Sequence, residues 1–277
     1  MNKIIKYIGA SAVICLMAGC TTNFEDFNTN PYQPSKVPAN TLLSGMFNVY
    51  AAPMQNDCQH INCMWACFSG QITAPSTWSK GENLFAYYNA MEDHNAATWA
   101  KIYANFFRIE EATEKKGVIY AIAQLTRIYA MQMMASLQGP IPYSKVKSGD
   151  IRAAYDDEPT AWRAMFDDLD NVIAILKSAA ELGINQDLAA VDQFYGGNCE
   201  KWMKFANTLK LRMAIRVSGV ADYAQAKAEE AVRGGVLESV SDSSYDTTSS
   251  GINENGYAIV SGWGEVRANA CITSYMN

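Results

Sequence analysis

The stretch that most constrains this chain is 195–219, YGGNCEKWMKFANTLKLRMAIRVSG. Gly196 and Gly197 interrupt whatever precedes them, and Asn198 has the short polar side chain that takes an orphan amide of a helical first turn. Trp202, Phe205, Ala206, Leu209 and Met213 then recur at helical spacing, giving one apolar stripe. Lys201, Lys204, Lys210, Arg212 and Arg216 flank it, and Gly219 is the expected stop. A helix built this way must lay its stripe on other helices, with its long cations lying over the aromatics.

Other segments carry the same period. Thr41–Tyr50 reads as a helix with Leu42, Leu43, Met46 and Tyr50 on one side. Asn95 caps a helix bearing Trp99, Ile102, Tyr103, Phe106 and Glu110, which closes at Lys115-Lys116-Gly117. Val118–Leu137 is apolar on nearly all sides, so it is buried on several faces, and Gly139-Pro140 stops it. The short joint at Gly117 makes these two an antiparallel pair. Pro159 opens a further helix whose stripe is Trp162, Met165, Phe166, Leu169, Val172, Ile173 and Leu176. Asp222 and Gln225 read as the capping box of a last helix that ends at Gly234-Gly235. Between these lie two less regular stretches. Residues 53–92 read as a helix followed by a long loop; 238–262 are polar and glycine-rich, and Trp263–Met276 begins a new helix.

The N-terminus has a different character. Lys3 and Lys6 precede an apolar run from Ile8 to Met17, and Leu16-Met17-Ala18-Gly19-Cys20 follows. This is an export leader, too short to span a membrane. Small residues before Cys20 resemble a bacterial lipobox, with Met17 where leucine is usual; simple cleavage after Ala18 or Gly19 is the alternative. An acylated Cys20 anchors the chain firmly, since two lipid chains already suffice. Residues 20–40, with Pro31, Pro34 and Pro38, read as a tether, and Glu25 and Asp26 stand where a surface-export signal would lie. Without the leader's two lysines, 20 basic residues face 28 acidic ones, a net charge of −8. That excludes nucleic acid and charge-driven adhesion to anionic lipid.

Four stretches together resemble the SusD/RagB family of nutrient-binding outer-membrane lipoproteins. They are the leader to Cys20 followed by FEDFNTNP, QGPIPYS at 138–144, AYDDEPTAWRAMFDDLDNVIAIL at 154–176, and YGG-N-x-x-KW-x-KFAN-[ST]-LKLR at 195–212. The resemblance implies a mainly α fold: a tetratricopeptide-like scaffold of helical pairs with long irregular loops. It divides the chain into a signal peptide (1–19), a tether (20–40) and a SusD-like helical domain (41–277). Family members continue into a second, loop-rich half, so the expectation is a domain truncated on its C-terminal side. The implied role is capture of oligosaccharide, or in some members peptide, at the outer face of the outer membrane, and delivery to a SusC-like TonB-dependent transporter. No cofactor and no catalytic residue are implied.

Chemistry-bearing clusters are few. The cysteines are Cys15, Cys20, Cys58, Cys63, Cys67, Cys199 and Cys271; with the leader and the lipid site set aside, five remain. An odd remainder is no disulfide framework. Cys58-x-His60-x2-Cys63-x3-Cys67 matches no common zinc spacing, and a local disulfide or buried thiols suit it better. His60 and His94 are the two histidines, so a lipid-anchored hydrolase would have to use one of them. No nucleophile turn or phosphate-cradling loop accompanies either. Asp167, Asp168 and Asp170 fall off the apolar stripe and read as a solvated face. What remains is aromatic. Trp78, Tyr87 and Tyr88, with Asn83 to hold a hydroxyl, lie among turn residues where rings can face a sugar, and Trp263 is a further candidate. Ordinary core packing is the rival reading of these rings, and a transporter lid with slight ligand contacts is a third reading of the whole.

Overall fold

The structure, a computed structural model, describes residues 37–47, 69–71, 102–147, 149, 152–184, 188–238 and 266–268. Met1–Val37 and Pro38–Asn277 are separate units, and the elements below belong to the second.

Helix α1 (Ala39–Met46) starts two residues before Thr41 and buries Leu42, Leu43 and Met46, as the period requires. Phe47 follows it into the core. Helix α2 covers 102–113 and buries Ile102, Tyr103, Phe106 and Ile109. It ends before the expected stop. Glu114 and Lys115 turn the chain with positive φ of 50° and 60°, and Gly117 already belongs to the next helix. The Lys115 amide donates to the Glu110 carbonyl and its ammonium lies 3.1 Å from the Glu110 carboxylate, so a side-chain ion pair fixes this non-glycine turn.

Helix α3 (Gly117–Gln138) is buried around most of its circumference, as its sequence demands. Even Gln124, Thr126, Arg127 and Gln132 are buried. Helix α4 (Glu158–Leu182) opens on Asp157, whose carboxylate accepts the Thr160 amide at 3.1 Å, with Pro159 in the first turn. Its buried stripe contains every expected residue except Ile173, which is partly exposed. A 3-10 turn (Leu188–Ala190) leads to helix α5 (Cys199–Val217), capped by Asn198, which accepts the Lys201 amide at 3.0 Å. Gly219 does not stop α5, because its φ is not positive; the Ser218 hydroxyl donates to the Ile215 carbonyl at 2.8 Å instead.

Helix α6 (Ala224–Arg233) ends at Gly234-Gly235 as expected, but the capping box is not made. Asp222 turns to Arg163 of α4 at 3.3 Å, and the Gln225 amide donates to Glu229 at 2.9 Å. A long-range partner and an i,i+4 partner outcompete the local cap.

The main packing pairs run in chain order, α3 on α4, α4 on α5 and α5 on α6, while α1 and α5 also touch α3. This nearest-neighbour stacking of helices is that of a tetratricopeptide-like scaffold. Among the described residues no helix is long and apolar enough to cross a membrane.

Two irregular stretches hold a strand each. β1 (Ser69–Gln71) pairs antiparallel with β2 (Val266–Ala268), in the register Ser69 to Ala268 and Gln71 to Val266. This corrects two expectations: 69–71 is neither helix nor loop, and 266–268 is not the start of a helix. Three-residue strands whose partners lie some 195 positions away leave no local period to read.

Candidate functional site

The quoted motifs turn out to be joints. In QGPIPYS, Ile141 forms an isolated bridge to Asp156 of AYDDEP. The Asp156 carboxylate is buried and accepts the amides of Tyr143 (3.2 Å) and Ser144 (2.6 Å) and the Ser144 hydroxyl (2.8 Å); Lys145 stands 3.3 Å away. Burial alone would raise this carboxyl, but the hydrogen bonds from Ser144, Tyr143 and Lys145 outweigh it and hold it below its ordinary value. The two motifs are therefore one structure, a turn tied across a helix entrance.

Beside it, the Arg127 guanidinium of α3 lies 4.5 Å from the Phe106 ring and 4.3 Å from the Tyr143 ring. It donates to Asp168 of α4 at 2.9 Å, and the Tyr143 hydroxyl donates to the same oxygen at 2.7 Å. The Tyr103 hydroxyl reaches the Pro142 carbonyl at 3.4 Å, and burial pushes that phenol up to about 12. One buried cation thus joins α2, α3, the 141–144 turn and α4.

Asp170, two residues on, pairs with Lys210 of α5 at 2.6 Å and with Lys227 of α6. Lys210 also reaches Glu230 at 2.7 Å. The three aspartates are therefore not one solvated face. Asp167 is exposed, whereas Asp168 and Asp170 each fix α4 to a neighbour. Lys210 is likewise not a flank residue: its side chain is 6% exposed. Its spacing from Ala206 and Met213 held that signal, since i+4 and i−3 are positions on the apolar face.

The YGGN turn is organised by Asp192. Its carboxylate accepts the amides of Phe194 (2.9 Å), Tyr195 (3.1 Å) and Gly197 (2.8 Å) and the Trp202 indole N–H (2.7 Å). Gly197 is required twice over: its φ is +82°, and a Cβ would stand 3.1 Å from the Ala189 amide nitrogen. Phe47, Phe194, Tyr195 and Phe205 surround Trp202 at centroid distances of 5.1–6.0 Å. Trp202 is core, as expected, while Phe205 is only half-buried.

Of the sequence-derived site residues, Trp78, Asn83, Tyr87, Tyr88 and Trp263 lie outside the described residues, as do Cys20, His60, His94 and Cys58, Cys63 and Cys67. Cys199 is buried, and its thiol, pushed up by burial, donates to the Ile184 carbonyl. Among the described residues no group of three metal-ligating side chains is assembled.

One sizeable cleft is formed by described residues, about 870 Å3, where the ends of α3 and α5 meet the first turns of α4 and the turn into α6. Arg163, Arg216, Glu158 and Asp222 stand at it over Pro159, Val217 and Val220. Sequence reading missed this cleft because its residues come from three separate segments, 135–139, 158–163 and 216–223.

Comparison with known proteins gives the arrangement a context. The family described as SusD and RagB outer membrane lipoprotein matches residues 23–277. A SusD-like protein from Bacteroides thetaiotaomicron is 68% identical, with a TM-score of 0.75, over 87% of this chain and 51% of its own. A SusD homologue from Bacteroides ovatus is 28% identical, with a TM-score of 0.71, over 86% of this chain and 49% of its own. A chitin-binding SusD homologue from Flavobacterium johnsoniae is 25% identical, with a TM-score of 0.66, over 84% of this chain and 50% of its own. The chain thus spans about half the length of the solved structures it matches. No curated protein matches it. With the family matched from residue 23 to the last residue and the helical scaffold shared with these structures, the chain belongs to the SusD-like family of SusD and RagB outer-membrane lipoproteins.

Proposed function

We propose that this protein is a lipid-anchored, surface-facing binding protein that captures oligosaccharide and delivers it to a SusC-like TonB-dependent transporter. The family match over residues 23–277 carries this reading. The leader ending at Cys20 supplies the anchor, and a relative that is itself chitin-binding makes a glycan the first ligand class to test. The protein acts by binding, with no bond made or broken. Trp78, Tyr87, Tyr88 and Trp263 are the rings proposed to stack on sugar C–H faces, and Asn83 is the group proposed to hold a hydroxyl. A neutral ring face suits an uncharged glycan on a mildly acidic protein.

The test is Trp78→Ala, with melting temperature and affinity for a glycan panel that includes chito-oligosaccharides measured on the same sample. Affinity should fall by about 1–3 kcal/mol at unchanged melting temperature, the loss of one desolvated anchor. Lower stability with full affinity in the folded fraction would return Trp78 to the core.

A further inference from the structure

Several cations of the scaffold tie one helix to the next: Arg127 pairs with Asp168, Arg163 with Asp222, Lys210 with Asp170 and Glu230, and Lys227 with Asp170. The outward side of α5 uses its cations differently. Lys201, Lys204 and Arg212 have neither an acidic partner nor a ring beneath them among the described residues. Arg216, one turn beyond Arg212, gives an N–H to the Ser136 carbonyl at 3.2 Å and is exposed. Lys201, Lys204, Thr208, Arg212 and Ile215 recur at intervals of three and four, so they share one side of the helix over about 20 Å. That side is turned away from the buried stripe of Trp202, Ala206, Leu209 and Met213. The acid of this helix, Glu200, stands in its first turn and pairs with neither lysine.

The same side carries apolar surface. Ile215 is 63% exposed, and Val220, just past the helix, is 91% exposed. Half-buried Tyr129 and Phe205 border it with ring centroids 6.2 Å apart; burial raises the Tyr129 phenol, and the nearby Arg212 opposes that rise. In a chain with 28 acidic and 22 basic residues, a helix side with cations alone reverses the local sign and draws carboxylates to it. Exposed aliphatic groups gain most from apolar side chains laid on them. A polysaccharide would leave Ile215 and Val220 facing hydroxyls, and an anionic membrane is opposed by the overall charge. A protein surface answers both needs, with carboxylates for the cations and apolar side chains for the aliphatics.

We infer that the outward side of α5 is a docking surface for an acidic protein partner that carries apolar side chains among its carboxylates. Arg212 and Arg216 take carboxylates on their planar guanidinium forks, Lys201 and Lys204 steer the approach, and Ile215 and Val220 seat the apolar groups. One helix side lies at the small end of protein interfaces, so the complex forms and parts readily. The surface uses none of the loop aromatics and stands or falls apart from the glycan reading.

The test is calorimetric titration of the whole protein with a random copolymer of glutamate and leucine, with polyglutamate, with polygalacturonate and with phosphatidylglycerol vesicles. The copolymer should bind more tightly than polyglutamate, and polygalacturonate and the vesicles more weakly than either. Lys204→Gln combined with Arg212→Gln should weaken copolymer binding by roughly five- to thirtyfold, the loss of two exposed charge pairs, while the melting temperature holds. Ile215→Ser should erase the advantage of the copolymer over polyglutamate. Lys177→Gln combined with Arg233→Gln removes the same charge from exposed positions on α4 and α6, and should change affinity by less than about twofold. Absence of copolymer binding, an equal loss in the Lys177 and Arg233 control, a copolymer advantage untouched by Ile215→Ser, or tighter binding of polygalacturonate or of the vesicles overturns the proposal.

Discussion

Replacing Asp192 by Asn tests the YGGN joint with an almost isosteric change. Asp192 is 4% exposed and its two oxygens accept four N–H groups. Oδ1 takes the amides of Phe194 and Tyr195; Oδ2 takes the Gly197 amide and the Trp202 indole. An asparagine keeps one oxygen, so two of these donors come to face an amide nitrogen that is itself a donor. Each buried hydrogen bond lost this way costs about 1–3 kcal/mol, so the variant should lose roughly 3–5 kcal/mol once some relaxation is allowed. For a chain of this size, about 2–4 °C per kcal/mol puts the fall in melting temperature at roughly 6–20 °C. Thermal and urea unfolding both read this. Trp202→Phe in the same background supplies a double-mutant cycle: without the indole donor, Asp192→Asn has one conflict fewer, and the two losses should be less than additive by about 1 kcal/mol or more. A melting temperature within a degree of wild type, or strict additivity, would show that Asp192 does not organise this turn.

Trp202→Ala should cost about 3–5 kcal/mol by emptying a core site, and half-buried Phe205→Ala clearly less, roughly 1–2 kcal/mol; equal losses in urea titrations would contradict the burial difference. Lys210→Met should destabilise by about 1–3 kcal/mol, because Glu230 loses its close cation and Asp170 one of its two, Lys227 remaining, while both carboxylates can rehydrate. Lys210 and Lys227 hold the Asp170 carboxyl below its ordinary value against the opposing effect of burial, and Lys210 lowers Glu230. With Asp156 also lowered, the unfolded chain takes up these protons first. Stability should therefore be complete above about pH 5 and fall as pH drops through the lowered values, less steeply in Lys210→Met; a pH-independent melting temperature between 3 and 5, approximate bounds set by ordinary carboxyl values, would refute this. Cys20→Ala should remove the protein from the detergent phase in partitioning assays, and unchanged partitioning would exclude lipidation there.

The sequence by itself determined helices α3, α4 and α5 and most of their buried faces. Asn198, Asp157 and Pro159 act within one turn of where they stand, and the stripes of α4 and α5 depend only on a period of 3.6. Family membership was legible for a related reason, since the quoted stretches are local strings. Their purpose was not. QGPIPYS and AYDDEP become one joint only because Asp156 meets Tyr143 and Ser144 across a turn, and YGGN is held by an aspartate that lies just ahead of it. Asp222 had a plausible local role and took a distant one, because Arg163 reached it from another helix. Lys210 read as a solvated flank because its two carboxylate partners sit on helices that sequence alone does not bring near. The β1–β2 ladder and the cleft at the ends of α3 and α5 likewise join segments far apart in the chain. Short-range order follows from backbone geometry and local hydrogen bonds. Which side chains meet across elements is settled only when the helices pack, and that is where the partners of these charges, and any site built from separate segments, were decided.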